Sequence, residues 1–81
     1  SELLLWFLRR GELARIEDDV VYPTAVLTDA ETALWGSTGS SFTLSEARDA
    51  LGVSRKYAIY ILDWLADNGR LRRDGDDRRW I

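Results

Sequence analysis

Apolar residues run unbroken from Leu3 to Leu8 and stop before Gly11, which predicts a short helix from Glu2 to Arg10. A helix that is apolar on nearly every side expects partners on several faces. Leu13-Ala14-Arg15-Ile16 and Val20-Val21-Tyr22 then flank Glu17-Asp18-Asp19, the pattern of two strands joined by a turn. Pro23 stands at a helix start, and Ala25, Leu27, Ala30, Ala33 and Leu34 supply the apolar positions of a helix from Thr24 to Trp35. Gly36-Ser37-Thr38-Gly39-Ser40-Ser41 has the composition of a flexible linker.

Phe42 opens a second unit. Thr43-Leu44-Ser45-Glu46 fits a capping box, and the helix it starts runs to about Leu51 before Gly52. Ser54 is the next N-cap candidate, for a helix from Arg55 to Asn68 that ends on Asn68-Gly69. Ala58, Ile61, Leu62 and Leu65 form its core stripe, with Tyr57 and Trp64 flanking. Leu71-Arg72-Arg73, the turn Asp74-Gly75-Asp76-Asp77 and Arg78-Arg79-Trp80-Ile81 complete a terminal hairpin. The expected class is α+β, mainly α with small β-hairpins. It is a winged helix of three short helices plus a wing, preceded by the back half of another winged helix. Residues 1–35 are expected to be that C-terminal half plus a connecting helix, 36–41 a linker, and 42–81 a winged-helix unit that binds nucleic acid. The front half of the first unit is missing, so a fragment of a longer protein is expected. No long sequence repeat is visible, although hairpins 13–22 and 71–81 are candidates for equivalent wings.

Charge changes the picture more than composition does. At 81 residues, 46% hydrophobic and 31% charged, the chain reads as a small globular unit with a net charge of −3. Residues 1–41 hold three arginines against seven acids, a net −4, whereas residues 42–81 hold eight bases against seven acids, a net +1. Screening limits a surface charge to a reach of roughly 8–10 Å, so a local basic face can act on an acidic chain. The absence of cysteine and histidine excludes zinc fingers, Cys-His nucleophiles and Ser-His-Asp triads. With no cysteine, no membrane-length apolar run and no signal-peptide pattern, a cytoplasmic protein is expected.

Ser54-Arg55-Lys56-Tyr57 is the strongest chemical signal. A helix N-terminus offers free N–H groups and the positive end of its dipole, so it receives anions. Cations in that first turn oppose the dipole and make sense where a phosphate neutralises them; the rival is a solvated helix start. Arg70, Arg72, Arg73, Arg78 and Arg79 form a second basic group. Alternation along a strand sends Arg72 and Arg73 to opposite faces, and likewise Arg78 and Arg79. One of each pair can meet a ligand while the other meets solvent or the nearby acids. Arg48 extends the basic face or pairs locally. Tyr60 is a candidate for base stacking or for a protein contact. Catalysis finds no support, because Ser54 has no base to activate it and no Gly-rich phosphate loop exists. Asp74-Gly75-Asp76-Asp77 lacks the spaced ligands of a calcium loop, and no metal is expected.

The stretches from Phe42 to Asp49 and from Gly52 to Ile59, with Arg72-Arg73, Gly75-Asp76 and Arg78, resemble the last winged-helix domain of the bacterial selenocysteine-specific elongation factor family, SelB. Residues 2–35 resemble the end of the preceding winged helix in that family. The resemblance implies a non-catalytic RNA-binding unit for translation. Its partner would be the selenocysteine insertion (SECIS) hairpin in mRNA, next to a UGA codon. GTP would belong to a distant domain, the ribosome would be reached through the parent protein, and no cofactor, membrane or small molecule would bind here. Carried onto matching positions, Arg48, Ser54, Arg55, Lys56, Arg73 and Arg78 become RNA contacts, with Tyr57 completing the tetrapeptide. Two departures stand out: Tyr60 where the family commonly has proline, and Asp74 and Asp77 in the wing. The alternatives are a DNA-binding winged helix with Arg55 to Tyr60 in a major groove, or a protein-interaction module using Ile59, Tyr60 and Trp64.

Overall fold

The computed structural model describes residues 2–17 and 19–81. The elements run α1 (Glu2–Arg9), β1 (Leu13–Glu17), β2 (Val20–Pro23), α2 (Thr24–Ser37), β3 (Ser41–Thr43), α3 (Leu44–Leu51), α4 (Arg55–Asp67), β4 (Leu71–Asp74) and β5 (Asp77–Trp80). The expected helices and both hairpins are present, and the class is α+β with a winged-helix arrangement. Asp18, assigned from sequence to the first turn, lies outside the described residues.

The segment expected as a flexible linker is mostly ordered. α2 continues through Gly36 and Ser37, and Thr38 caps it twice: its backbone N–H and its hydroxyl both donate to the Leu34 carbonyl, at 3.0 and 2.6 Å. Ser41, Phe42 and Thr43 then form β3, which pairs antiparallel with β5, so the wing is a three-stranded sheet ordered β3-β5-β4. The Trp80 N–H donates to the Ser40 carbonyl at 3.0 Å and extends that pairing back toward the helix. Composition pointed to a linker because Gly and Ser dominate it, but tertiary hydrogen bonding overrides that tendency.

α2 is also more than a connector. Leu27, Ala30 and Leu34 lie one helical turn or two apart and are buried together with Phe42, Ala47, Ile61, Leu62, Leu65 and Leu71. α2, α3 and α4 are therefore the three helices of one winged helix. The first hairpin joins the same core, with Ala14, Ile16 and Tyr22 packed against it.

α3 starts as its sequence dictates. The Glu46 N–H donates to the Thr43 hydroxyl, and the Thr43 N–H donates to the Glu46 carboxylate, both at 3.1 Å. Gly52 ends the helix in the left-handed region, φ 67°, with its N–H on the Arg48 carbonyl at 2.8 Å. Thr43→Ala is expected to cost about 1 kcal/mol of stability in urea unfolding, the usual worth of a lost cap. An unchanged midpoint would show that the box contributes nothing.

A structural repeat links the two halves. At the end of α1, the N–H groups of Arg10, Gly11 and Glu12 donate to the carbonyls of Trp6, Leu8 and Phe7, each at 3.1 Å. At the end of α4, Asn68, Gly69 and Arg70 donate to Trp64, Ala66 and Leu65 in the same pattern, at 3.0, 3.1 and 2.9 Å. Gly11 and Gly69 share the same backbone twist, φ 73° and 74°. Leu4, Trp6, Leu13 and Arg15 thus stand where Leu62, Trp64, Leu71 and Arg73 stand in the second copy. A bulge between Arg15 and Glu17 shifts the register of the first hairpin, which hides the repeat from simple inspection. The copies differ in cover. Ile61 on α4 is 5% exposed beneath α2 and α3, whereas its counterpart Leu3 on α1 is 65% exposed, and no described helix covers it.

Candidate nucleic-acid interface

Strand register settles which arginines face which way. Phe42, Arg78 and Arg73 are cross-strand partners on one face of the wing, and Ser41, Arg79 and Arg72 on the other. Arg73 and Arg78 therefore share the face that carries the buried Phe42, toward the helices. Arg79 is turned to the other face and pairs with Asp74 at 3.9 Å.

On the helix-facing side, Arg55, Arg73 and Arg78 line a cleft of about 300 Å³ together with Thr43, Leu44, Ser45 and Asp76. The starts of α3 and α4 both reach this cleft. That of α3 is closed by its capping box, but that of α4 is open. Ser54 occupies the N-cap position with extended geometry, φ −72° and ψ 163°, yet its hydroxyl makes no capping hydrogen bond. The first-turn N–H groups of α4 and the Ser54 hydroxyl thus remain available to an outside acceptor.

Arg78 is the unusual member, only 7% exposed. Its Nη1 donates to the Asp76 carbonyl at 3.4 Å, and Arg73 Nε donates to the Gly75 carbonyl at 3.1 Å. These two bonds tie the guanidinium groups to the hairpin turn and hold them at the cleft. Among the described residues, no carboxylate lies within ion-pairing distance of Arg48, Arg55, Lys56, Arg72, Arg73 or Arg78. A buried guanidinium without a carboxylate is costly unless something supplies the missing negative charge.

Of the seven residues expected from sequence, the cleft gathers Arg55, Arg73 and Arg78. Ser54 and Lys56 flank Arg55 in sequence at the α4 start without lining the cleft, and Lys56 Nζ stands 5.9 Å from the Tyr60 ring centroid. Arg48 is exposed on α3 one turn beyond Ser45, so it flanks the cleft without lining it. Tyr57 is 46% exposed and faces away from the cleft, packed edge-on against Tyr60. Sequence reasoning missed Ser45 and the Thr43 edge, because nothing local says that the α3 start meets the wing. The capping box located that helix start, and the pairing of β3 with β5 brings it there.

A larger cleft, about 440 Å³, lies at the far end of the wing between Trp35, Trp80, Arg70 and Glu31. Arg70 is already paired with Glu31 at 3.7 Å, so this cleft offers an anion much less. Among the described residues no cluster could hold a metal ion, and no helix is long and apolar enough to cross a membrane.

No curated protein matches the chain in sequence. Two of the solved structures that resemble it do so over nearly its whole length. One is the crystal structure of a bacterial selenocysteine-specific elongation factor, EF-Sec, at 30% identity and a TM-score of 0.90; it covers 99% of this chain, which spans 14% of that one. The other is the mRNA-binding domain of elongation factor SelB from E. coli, solved in complex with SECIS RNA. It shows 31% identity and a TM-score of 0.77, covering 95% of this chain and 65% of that one. The family described as elongation factor SelB, winged helix, matches residues 35–80, the stretch that runs from the end of α2 to the end of the wing. With more than half of its length matched and its wing, helices and cleft in place, the chain belongs to the SelB winged-helix family.

Proposed function

We propose that this chain is the mRNA-hairpin-binding part of a selenocysteine-specific elongation factor, a non-catalytic grip acting in the cytoplasm. The observation that carries the reading is the set of uncompensated cations, Arg55, Lys56, Arg73 and the buried Arg78, around an open helix N-terminus. Successive phosphates seated there gain the α4 N–H groups, the Ser54 hydroxyl and one positive charge each from these four residues, and they relieve two cations that oppose the helix dipole. The E. coli SelB domain, solved with SECIS RNA, supports an RNA stem-loop as the polyanion. Catalysis by GTP hydrolysis belongs, on this reading, to another domain of the parent factor, and this unit requires no cofactor.

The test is a stem-loop RNA pool with a randomised loop, from which binders to the chain are selected and compared with duplex DNA. Selection of one stem-loop over duplex supports the reading. Equal or tighter binding to duplex DNA would replace it with the DNA-binding alternative. With four phosphates neutralised, log affinity should fall by about 3 per decade of salt, at about 0.7 to 0.9 per contact. A salt-independent affinity would remove the proposed cation site.

A further inference from the structure

Two tyrosine rings meet beside the first turns of α4. Tyr57 and Tyr60 lie on neighbouring turns of the helix, ring centroids 6.1 Å apart and planes inclined by 68°. Tyr22 comes from β2 in the first hairpin, half-buried against the core. Burial, followed by the phenols of Tyr57 and Tyr60, raises the Tyr22 pKa. Lys56 Nζ stands 5.9 Å from the Tyr60 ring centroid and places a cation at the edge of the cluster.

Packing alone accounts for the half-buried Tyr22 and Tyr60, but it leaves the Tyr57 ring in water. Successive helix residues turn by about 100°, so Tyr57, two positions past Arg55, faces the opposite flank of the helix start from the arginine cleft. A backbone seated on the α4 N-terminus has cations on one side and this ring cluster on the other. Specific RNA recognition favours unpaired bases splayed onto aromatic rings, with the adjoining phosphates held by cations. The cluster is continuous with the candidate interface and brings the aromatic half of that arrangement to it.

We propose that Tyr57, backed by Tyr60 and flanked by Lys56, is a stacking platform for an unpaired base of the bound RNA. This inference rests on the RNA-binding reading above. The selected stem-loop, carrying 2-aminopurine at each unpaired position in turn, tests it. One position is expected to lose fluorescence on binding. Tyr57→Ala should abolish that quench and weaken binding about 5- to 100-fold with the salt slope unchanged, whereas Tyr57→Phe should preserve both. Tyr57 is exposed, so its variants should keep the fold, which circular dichroism follows. Wild-type affinity and quench in Tyr57→Ala, alongside lost binding in Arg55→Glu, overturn the platform and leave the RNA reading intact. Failure of the unmodified chain to select any stem-loop overturns both.

Discussion

Replacing Arg55 and Lys56 together by glutamate lowers stem-loop affinity by about a hundredfold or more while leaving the fold slightly more stable. The two effects share one cause. Hydrogen bonds to charged groups are worth about 1.5–3 kcal/mol each, so losing two costs at least about 3 kcal/mol, roughly two decades of affinity. The new carboxylates also repel phosphate. In the free protein, by contrast, acids in the first turn of α4 complement the dipole that the native cations oppose, a gain of about 0.3–1 kcal/mol each. Neither native side chain has a carboxylate partner among the described residues, so no internal ion pair is broken. Urea unfolding and RNA titration on the same preparation check both halves, and the salt slope should drop by about 1.5. Retained affinity in a folded double variant would mean that the α4 start does not meet the RNA.

Leu34→Ala is expected to destabilise the chain by about 2–5 kcal/mol, enough to unfold much of so small a protein at ambient temperature. Leu34 is fully buried on α2, in contact with a core drawn from α3, α4 and the wing. Truncation removes its transfer free energy and leaves a cavity that rigid helices fill poorly. Were α2 only a connector between separate units, the same change would cost under about 1 kcal/mol, and urea unfolding distinguishes the two. Val26→Ala, on the same helix but 48% exposed, supplies the contrast and should stay close to neutral.

These results show where local signals suffice and where they stop. α3 and α4 were legible because a capping box, a stripe at Ala58, Ile61, Leu62 and Leu65, and glycines past each end all act within a few residues. Alternation likewise put Arg72 and Arg73, and Arg78 and Arg79, on opposite faces, but which members share the helix-facing side came only with the strand register. β3 was not legible, since three residues cannot display a two-residue period and Ser41 looked like the end of a linker. The burial of Arg78 depends on that strand, because β3 lies against β5 on the side opposite β4. Tyr57 was visible as part of a motif, but its edge-on contact with Tyr60 was not. The unused Ser54 hydroxyl is likewise a fact of geometry, as the residue type alone predicts the opposite.

Ala14, Ile16 and Tyr22 sit in the same apolar cluster as Leu62 and Leu65, so the two helix–hairpin units share one interior. In a body 40 Å long and about half as wide, the first hairpin and the winged helix therefore pack as one piece. It behaves as a strut rather than a tether.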